Sequence, residues 1–131
     1  MLCITGFGEV FRKDKNEKID YGDIVCIKAD GLVHKVNDNS DLDRIIGICS
    51  NTIGFELSGG MQDVPEDEQV EVEMLGQIWV NTDCDFIEPG MRLKALSTGK
   101  VGIAFENDKK FGIALTGVVD GKVRIVYNIY Q

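Results

Sequence analysis

Ile19-Asp20-Tyr21-Gly22-Asp23-Ile24-Val25 and Ile87-Glu88-Pro89-Gly90-Met91-Arg92-Leu93 are one phrase written twice. Each copy runs from Ile through an acidic residue and a turn residue to Gly, and then into a strand. At the same offset Asp30-Gly31 returns as Thr98-Gly99, and Val33 returns as Val101. After a slip of three residues, Ile46-Gly47-Ile48 returns as Phe111-Gly112-Ile113. The period is too long for a solenoid and suits a duplicated β half-domain. The half-repeats span about 19–54 and 87–121, and a long connection over about 50–69 joins them. A connection of that length in a compact domain is usually functional or mobile.

Working outward, every periodic stretch has the period of a strand. Val70-Glu71-Val72-Glu73-Met74 alternates strictly, as a half-buried strand does. Gly76 then breaks it, and Gln77-Ile78-Trp79-Val80 follows as a second strand or past a bulge. Residues 122–130 form the longest predicted strand. Val123, Ile125, Tyr127 and Ile129 share one face of it, and Arg124, Val126, Asn128 and Tyr130 the other. Asp120-Gly121 before it is a strong hairpin signal that pairs Val118-Val119 back onto it. Shorter strands are expected near 7–12, 22–28, 32–36, 45–49, 91–96, 101–105 and 111–117. Ser40-Asp41-Leu42-Asp43 is long enough for one helical turn only, with Ser as its cap. Turn signals at short spacing and 15 glycines predict an all-β sandwich or barrel-like single domain over 1–131, with little or no helix.

Bulk properties exclude several function classes. A formal charge of −8 argues against nucleic acid, whose phosphates demand a basic face, and against an anionic membrane surface. Asp63, Glu66, Asp67, Glu68, Glu71 and Glu73 form a run without Lys or Arg, expected as a solvated face. No apolar stretch reaches membrane-spanning length, and the N-terminus Met1-Leu2-Cys3 lacks the pattern of a signal peptide. Cys3, Cys26, Cys49 and Cys84 are widely spaced with no CxxC pair, which predicts reduced structural thiols and no zinc site.

Candidate chemistry is sparse. The single histidine, His34, lies in a predicted strand and reads as structural rather than as a base for a nucleophile. Gly6-Phe7-Gly8 and Gly59-Gly60 precede no helix, so neither makes a phosphate cradle. The acidic run lacks calcium-loop spacing. No catalytic, cofactor-binding or metal-ligating residue is assigned, and no cofactor is expected. Exposed aromatics and the outer side of the last strand remain. Trp79, Val126 and Tyr130 are the expected residues of an oligomer or capsid interface.

The phrases Phe7-Gly8-Glu9-Val10-Phe11, Ile19 to Ile27, Asp30-Gly31 to Val36 and Ile45-Ile46-Gly47-Ile48-Cys49-Ser50 resemble the β domains of tailed-phage structural proteins. Val72 to Val80, Ile87 to Leu93 and Phe111 to Asn128 are similar to the later phrases of the same pattern. Within it the chain is most similar to capsid decoration, or cement, proteins. Its start at Met1 without a fibre or coiled-coil stem favours them over the β domains of appendage and fibre proteins. The resemblance implies a non-enzymatic virion protein, made in the host bacterial cytoplasm, that binds the outer surface of the assembled head and stabilises it. Its implied partners are itself, as a homotrimer, and the major capsid protein, with neither nucleic acid nor membrane. A self-cleaving peptidase-like β domain and a tail fibre or baseplate module are the alternatives. Met91 stands where the pattern often has Asp, so no catalytic role transfers there.

Overall fold

The computed structural model describes residues 6–51 and 64–128. Among these described residues, nine strands form one curled antiparallel sheet of half-barrel shape. They are β1 (Gly6–Arg12), β2 (Ile24–Ile27), β3 (Val33–Lys35), β4 (Ile45–Asn51), β5 (Gln69–Asn81), β6 (Arg92–Ala95), β7 (Val101–Ile103), β8 (Gly112–Ala114) and β9 (Lys122–Asn128). The order across the sheet is β3-β2-β4-β5-β9-β8-β6-β7, and β1 also pairs with β5. The all-β, barrel-like expectation therefore holds.

The two halves are wired alike. In the first, β2 sits between β3 and β4; in the second, β6 sits between β7 and β8. Backbone hydrogen bonds repeat at the offset of the sequence repeat. Gly31 N–H donates to the Lys28 carbonyl, as Gly99 N–H does to that of Leu96. Asp23 N–H donates to the Asp20 carbonyl, as Met91 N–H does to that of Glu88. Gly22 and Gly31 have φ of 90° and 80°, and Gly90 and Gly99 have 92° and 78°. Those left-handed values favour glycine and explain why the turn glycines recur in both copies. Beyond the strand ends, Lys13 bridges Val33 and Thr82 bridges Val101, both in parallel.

β5 joins the halves. Its first part pairs with β1 and β4, and its second part with β9. Gly76, at φ 111°, sits where the partners change. The strand runs through this glycine, so the two segments expected on either side of it are one element. That makes β5, at 13 residues, longer than β9, the expected longest strand. Val70 and Val72 on β5 belong to a core cluster with Ile19, Val25, Val33 and Cys49. Ile78 and Val80 belong to the larger cluster, with Ile24, Ile48, Leu93, Val123, Ile125 and Tyr127. Even-numbered residues of one strand thus serve two cores, because the sheet curls along its length.

Among the described residues, helical structure is limited to two short 3-10 turns, Asn39–Arg44 and Glu66–Glu68. The first matches the single turn expected near Ser40, but its cap is Asp38, whose carboxylate accepts from the Ser40 and Asp41 N–H groups. The Asp120-Gly121 hairpin forms as expected, with both residues at positive φ and Val119 paired to Lys122. Cys26 is a buried free thiol, Cys49 is buried, and Cys84 is free and half-buried. Cys3 and most of the connection over 50–69 lie outside the described residues.

Candidate functional site

The outer face of the second half carries a group of adjoining exposed apolar side chains. Along β9, Val123, Ile125 and Tyr127 are buried, whereas Val126 is 38% exposed. Directly opposed residues of antiparallel strands lie on the same side of a sheet. One row of such residues runs Gln77–Val126–Ile113–Arg92 across β5, β9, β8 and β6. A neighbouring row pairs Trp79 with Arg124, and the Leu115 N–H donates to the Arg124 carbonyl beside it. Leu75, opposite Asn128, continues the face on the other flank. Leu75, Ile113, Leu115 and Val126 are all exposed, and Trp79 is half-buried among them.

The structure thus brings together Trp79 and Val126, two of the three interface residues expected from sequence. Tyr130 lies outside the described residues. Ile113, Leu115 and Leu75 were missed. The signal for the first two was present, since Gly112 and Ala114 alternate with them. A Cβ at Gly112 would lie 2.7 Å from the Val126 carbonyl oxygen and 3.0 Å from the Ile125 side chain. The inner side of β8 therefore takes only small residues, and its large ones stand outside.

Polar groups cluster where this face meets the first half. Tyr21 is exposed, and its phenol pKa is raised, by burial of the ring first and by Cys49 and Glu73, against the lowering effect of Arg124. Burial, and then the charge of Glu71, raises the pKa of Glu73. Among the described residues, Glu73 Oε2 and Arg124 Nε are buried atoms without a hydrogen-bond partner. The acidic run is less uniformly solvated than its composition suggests. Glu66 and Asp67 are exposed, while Glu68, Glu71 and Glu73 are half-buried, and Asp63 lies outside the described residues.

His34 is half-buried between two carboxylates. Its Nδ1 lies 2.5 Å from Glu17 Oε1 and its Nε2 lies 2.8 Å from Asp30 Oδ2. Both ring nitrogens are taken, so neither is free to activate a hydroxyl or thiol. Among the described residues, no group of three or more His, Cys, Asp or Glu side chains could hold a metal ion. An open depression of about 270 Å³ is lined by Arg12, Lys13, Asp14, Lys15, Asn16, Leu32 and Glu68. Its central ammonium is already committed. Lys13 is buried, and its Nζ donates to the carbonyls of Asp14, Glu17 and Asp67.

No protein-family model matches the chain, and no curated protein matches it in sequence. Its fold does have a solved counterpart. The crystal structure of a C-terminal fragment of bacteriophage phi29 gene product 12 superposes with a TM-score of 0.59 at 22% identity. The alignment covers 93% of this chain and 99% of that fragment. At this identity the likeness is one of fold. No helix among the described residues is long and apolar enough to cross a membrane.

Proposed function

We propose that this chain is a structural module of a tailed-phage particle that works by binding rather than by chemistry. The observation that carries this reading is the near-complete two-way coverage between this chain and a phage protein fragment. Within this reading the chain is a decoration protein on the outside of the head, assembled as a homotrimer and contacting the major capsid protein. A ligand that binds only the mature lattice stabilises it in proportion to affinity and occupancy. Linked copies add avidity when their geometry lets all of them engage. The face bearing Trp79, Ile113, Leu115 and Val126 is the surface assigned to assembly, because exposed large apolar side chains adjoin one another on it.

A second reading, a terminal module of a tail fibre or baseplate protein, is favoured by one observation. The matched phi29 segment is itself the C-terminal part of its protein. Electron microscopy of particles labelled with an antibody to this chain separates the two. Label on the head supports decoration, label on the tail transfers the assignment to the appendage reading, and unlabelled intact particles sink both. Assembly is tested by light scattering on the parent and on Ile113→Asp/Val126→Asp. Both positions are already exposed, so the variant should fold and dissociate. A parent that is monomeric at high micromolar concentration overturns the assembly role of this face.

A further inference from the structure

β3 ends the sheet on the side of the first half, and an open strand edge invites pairing with another chain. Here the connection after β1 lies along that edge. Lys13 bridges Val33, and Glu17 Oε2 accepts the Lys35 N–H at 2.6 Å. The other oxygen of Glu17 is held by His34 Nδ1. His34 Nε2 holds Asp30, whose Oδ1 accepts the Leu32 N–H at 2.9 Å inside the hairpin between β2 and β3. One imidazole therefore ties the edge cover and the hairpin to the same strand. An ionised carboxylate only accepts hydrogen bonds, so both ring nitrogens must donate. Only the imidazolium has two N–H groups. A neutral ring has to give up one of the two carboxylates.

We propose that His34 is a proton-operated latch, which when charged holds the segment 13–17 across the edge of β3 and when neutral lets that cover lift. The groups around it support this working range. Glu17 reaches it from the connection after β1, and Asp30 from the hairpin. Cys26, opposite on β2, donates its thiol to the His34 carbonyl. Burial pushes that thiol up to about 11, so it stays protonated throughout. The neighbouring ammonium groups are turned elsewhere, Lys35 to Asp23 and Lys28 to Asp41, each at 3.7 Å. Burial opposes the charge on His34, but Asp30 and Glu17 outweigh it, and the pKa is raised above the ordinary 6.5. A raised folded-state pKa means that the latch contributes fully below 6.5 and is lost as pH rises through the folded value.

His34 is the only histidine, so its ring signals are unambiguous in a nuclear magnetic resonance titration. The expected midpoint lies above 6.5, with both ring nitrogens carrying protons at pH 6. Hydrogen exchange of the Lys35 amide supplies the mechanical readout. The Leu96 amide, bonded to the Lys100 carbonyl in the corresponding hairpin, is the internal control. Protection of Lys35 relative to Leu96 should fall across the same pH range, by about tenfold for each unit by which the midpoint exceeds 6.5. His34→Gln should flatten that dependence, and Asp30→Asn, which keeps the ring, should lower the midpoint. A midpoint at or below 6.5, a constant Lys35-to-Leu96 ratio, or an unchanged pH dependence in His34→Gln each overturns the latch.

Discussion

The two halves share a backbone plan and differ in what fills it. At several matching positions the first half places a charged or titratable group where the second has a neutral one. Asp23 accepts the Asp20 N–H at 2.8 Å; at the corresponding place the Met91 sulfur accepts the Glu88 N–H at 3.1 Å. Lys13 anchors the first parallel bridge through its ammonium, and Thr82 anchors the second through a hydroxyl on the Val101 carbonyl. His34, the centre of the latch, corresponds to Gly102. The turns need a local acceptor and the bridges need a local donor, and the chemical type is free to vary. The charged half depends more heavily on its partners, because a buried charge that loses them costs far more than a lost neutral contact.

The sharpest way to break the shared plan lies where both halves use the same residue. Gly47 and Gly112 are equivalent, and neither has room for a side chain. A Cβ at Gly47 would lie 2.2 Å from the Glu73 carbonyl oxygen and 2.6 Å from Val72. At Gly112 the nearest atom, the Val126 carbonyl oxygen, is 2.7 Å away. Both obstacles are strand backbone, which cannot yield without disrupting the β4–β5 or β8–β9 pairing. Gly47→Ala should destabilise by about 3 kcal/mol or more and Gly112→Ala by somewhat less. Chemical denaturation would show the order, and equal effects would mean that the closer approach at Gly47 relaxes freely.

The charge asymmetry gives the next largest effect. Asp23 is buried, and besides the Asp20 N–H its carboxylate accepts from Asn81 Nδ2 at 2.9 Å and lies 3.7 Å from Lys35 Nζ. Asp23→Ala removes the acceptor for all of them and should cost about 3 kcal/mol. Met91→Leu keeps the packing volume and gives up one weak sulfur acceptor, so it should cost less than about 1.5 kcal/mol. Comparable losses from the two variants would refute the contrast drawn between the halves.

Sequence reading recovered the features that one residue type decides locally. Turn glycines, the Asp120-Gly121 hairpin and the alternation of residues 122–128 are set by backbone sterics and by period two, so they show in a single strand of text. The unity of β5 across Gly76 did not show, because a glycine inside a strand reads equally as a break or a bulge, and only pairing with β9 decides between them. The anchoring of Lys13 and of the structural His34 was hidden for a similar reason. Each is anchored by groups brought in from elsewhere, Lys13 by the distant Asp67 and His34 by Glu17 on another segment. Neither partner is signalled by spacing. The exposed apolar face was half legible. Trp79 and Val126 stood out by size and alternation, whereas the alternation of Ile113 and Leu115 with Gly112 and Ala114 was present but passed over, and the reason for it appears only in the close approach of Gly112 to β9.

The two bridge anchors test the same contrast at smaller scale. Lys13→Met keeps the buried stem but leaves the carbonyls of Asp14, Glu17 and Asp67 without their shared donor. The expected loss is about 2 kcal/mol. Thr82→Val removes one donor to Val101, 2.8 Å away, and one acceptor of the Cys84 N–H, and should cost about 1 kcal/mol. Thermal unfolding of the pair is sufficient, and a Thr82 variant less stable than the Lys13 variant would contradict the ranking.

The smallest expected effect is a gain, and it lies where the halves meet. Glu73 sits on the first part of β5 with its Oε2 buried and without a partner among the described residues. Burial and then Glu71 raise its pKa above the ordinary carboxylate value. A carboxyl whose folded pKa is raised favours the folded state most in acid, and that contribution shrinks as pH climbs through the folded value. At pH 7 the ionised Glu73 is therefore a cost that a neutral side chain of the same shape avoids. Glu73→Gln should melt slightly higher than the parent at pH 7. The advantage should vanish near pH 4, where the parent carboxyl also becomes neutral. Melting curves of both proteins at the two pH values decide the matter. A Gln variant less stable at pH 7 would mean that the Glu73 charge has a favourable partner, and Arg124, whose Nε is likewise buried, is the first one to examine by Arg124→Gln in the same background.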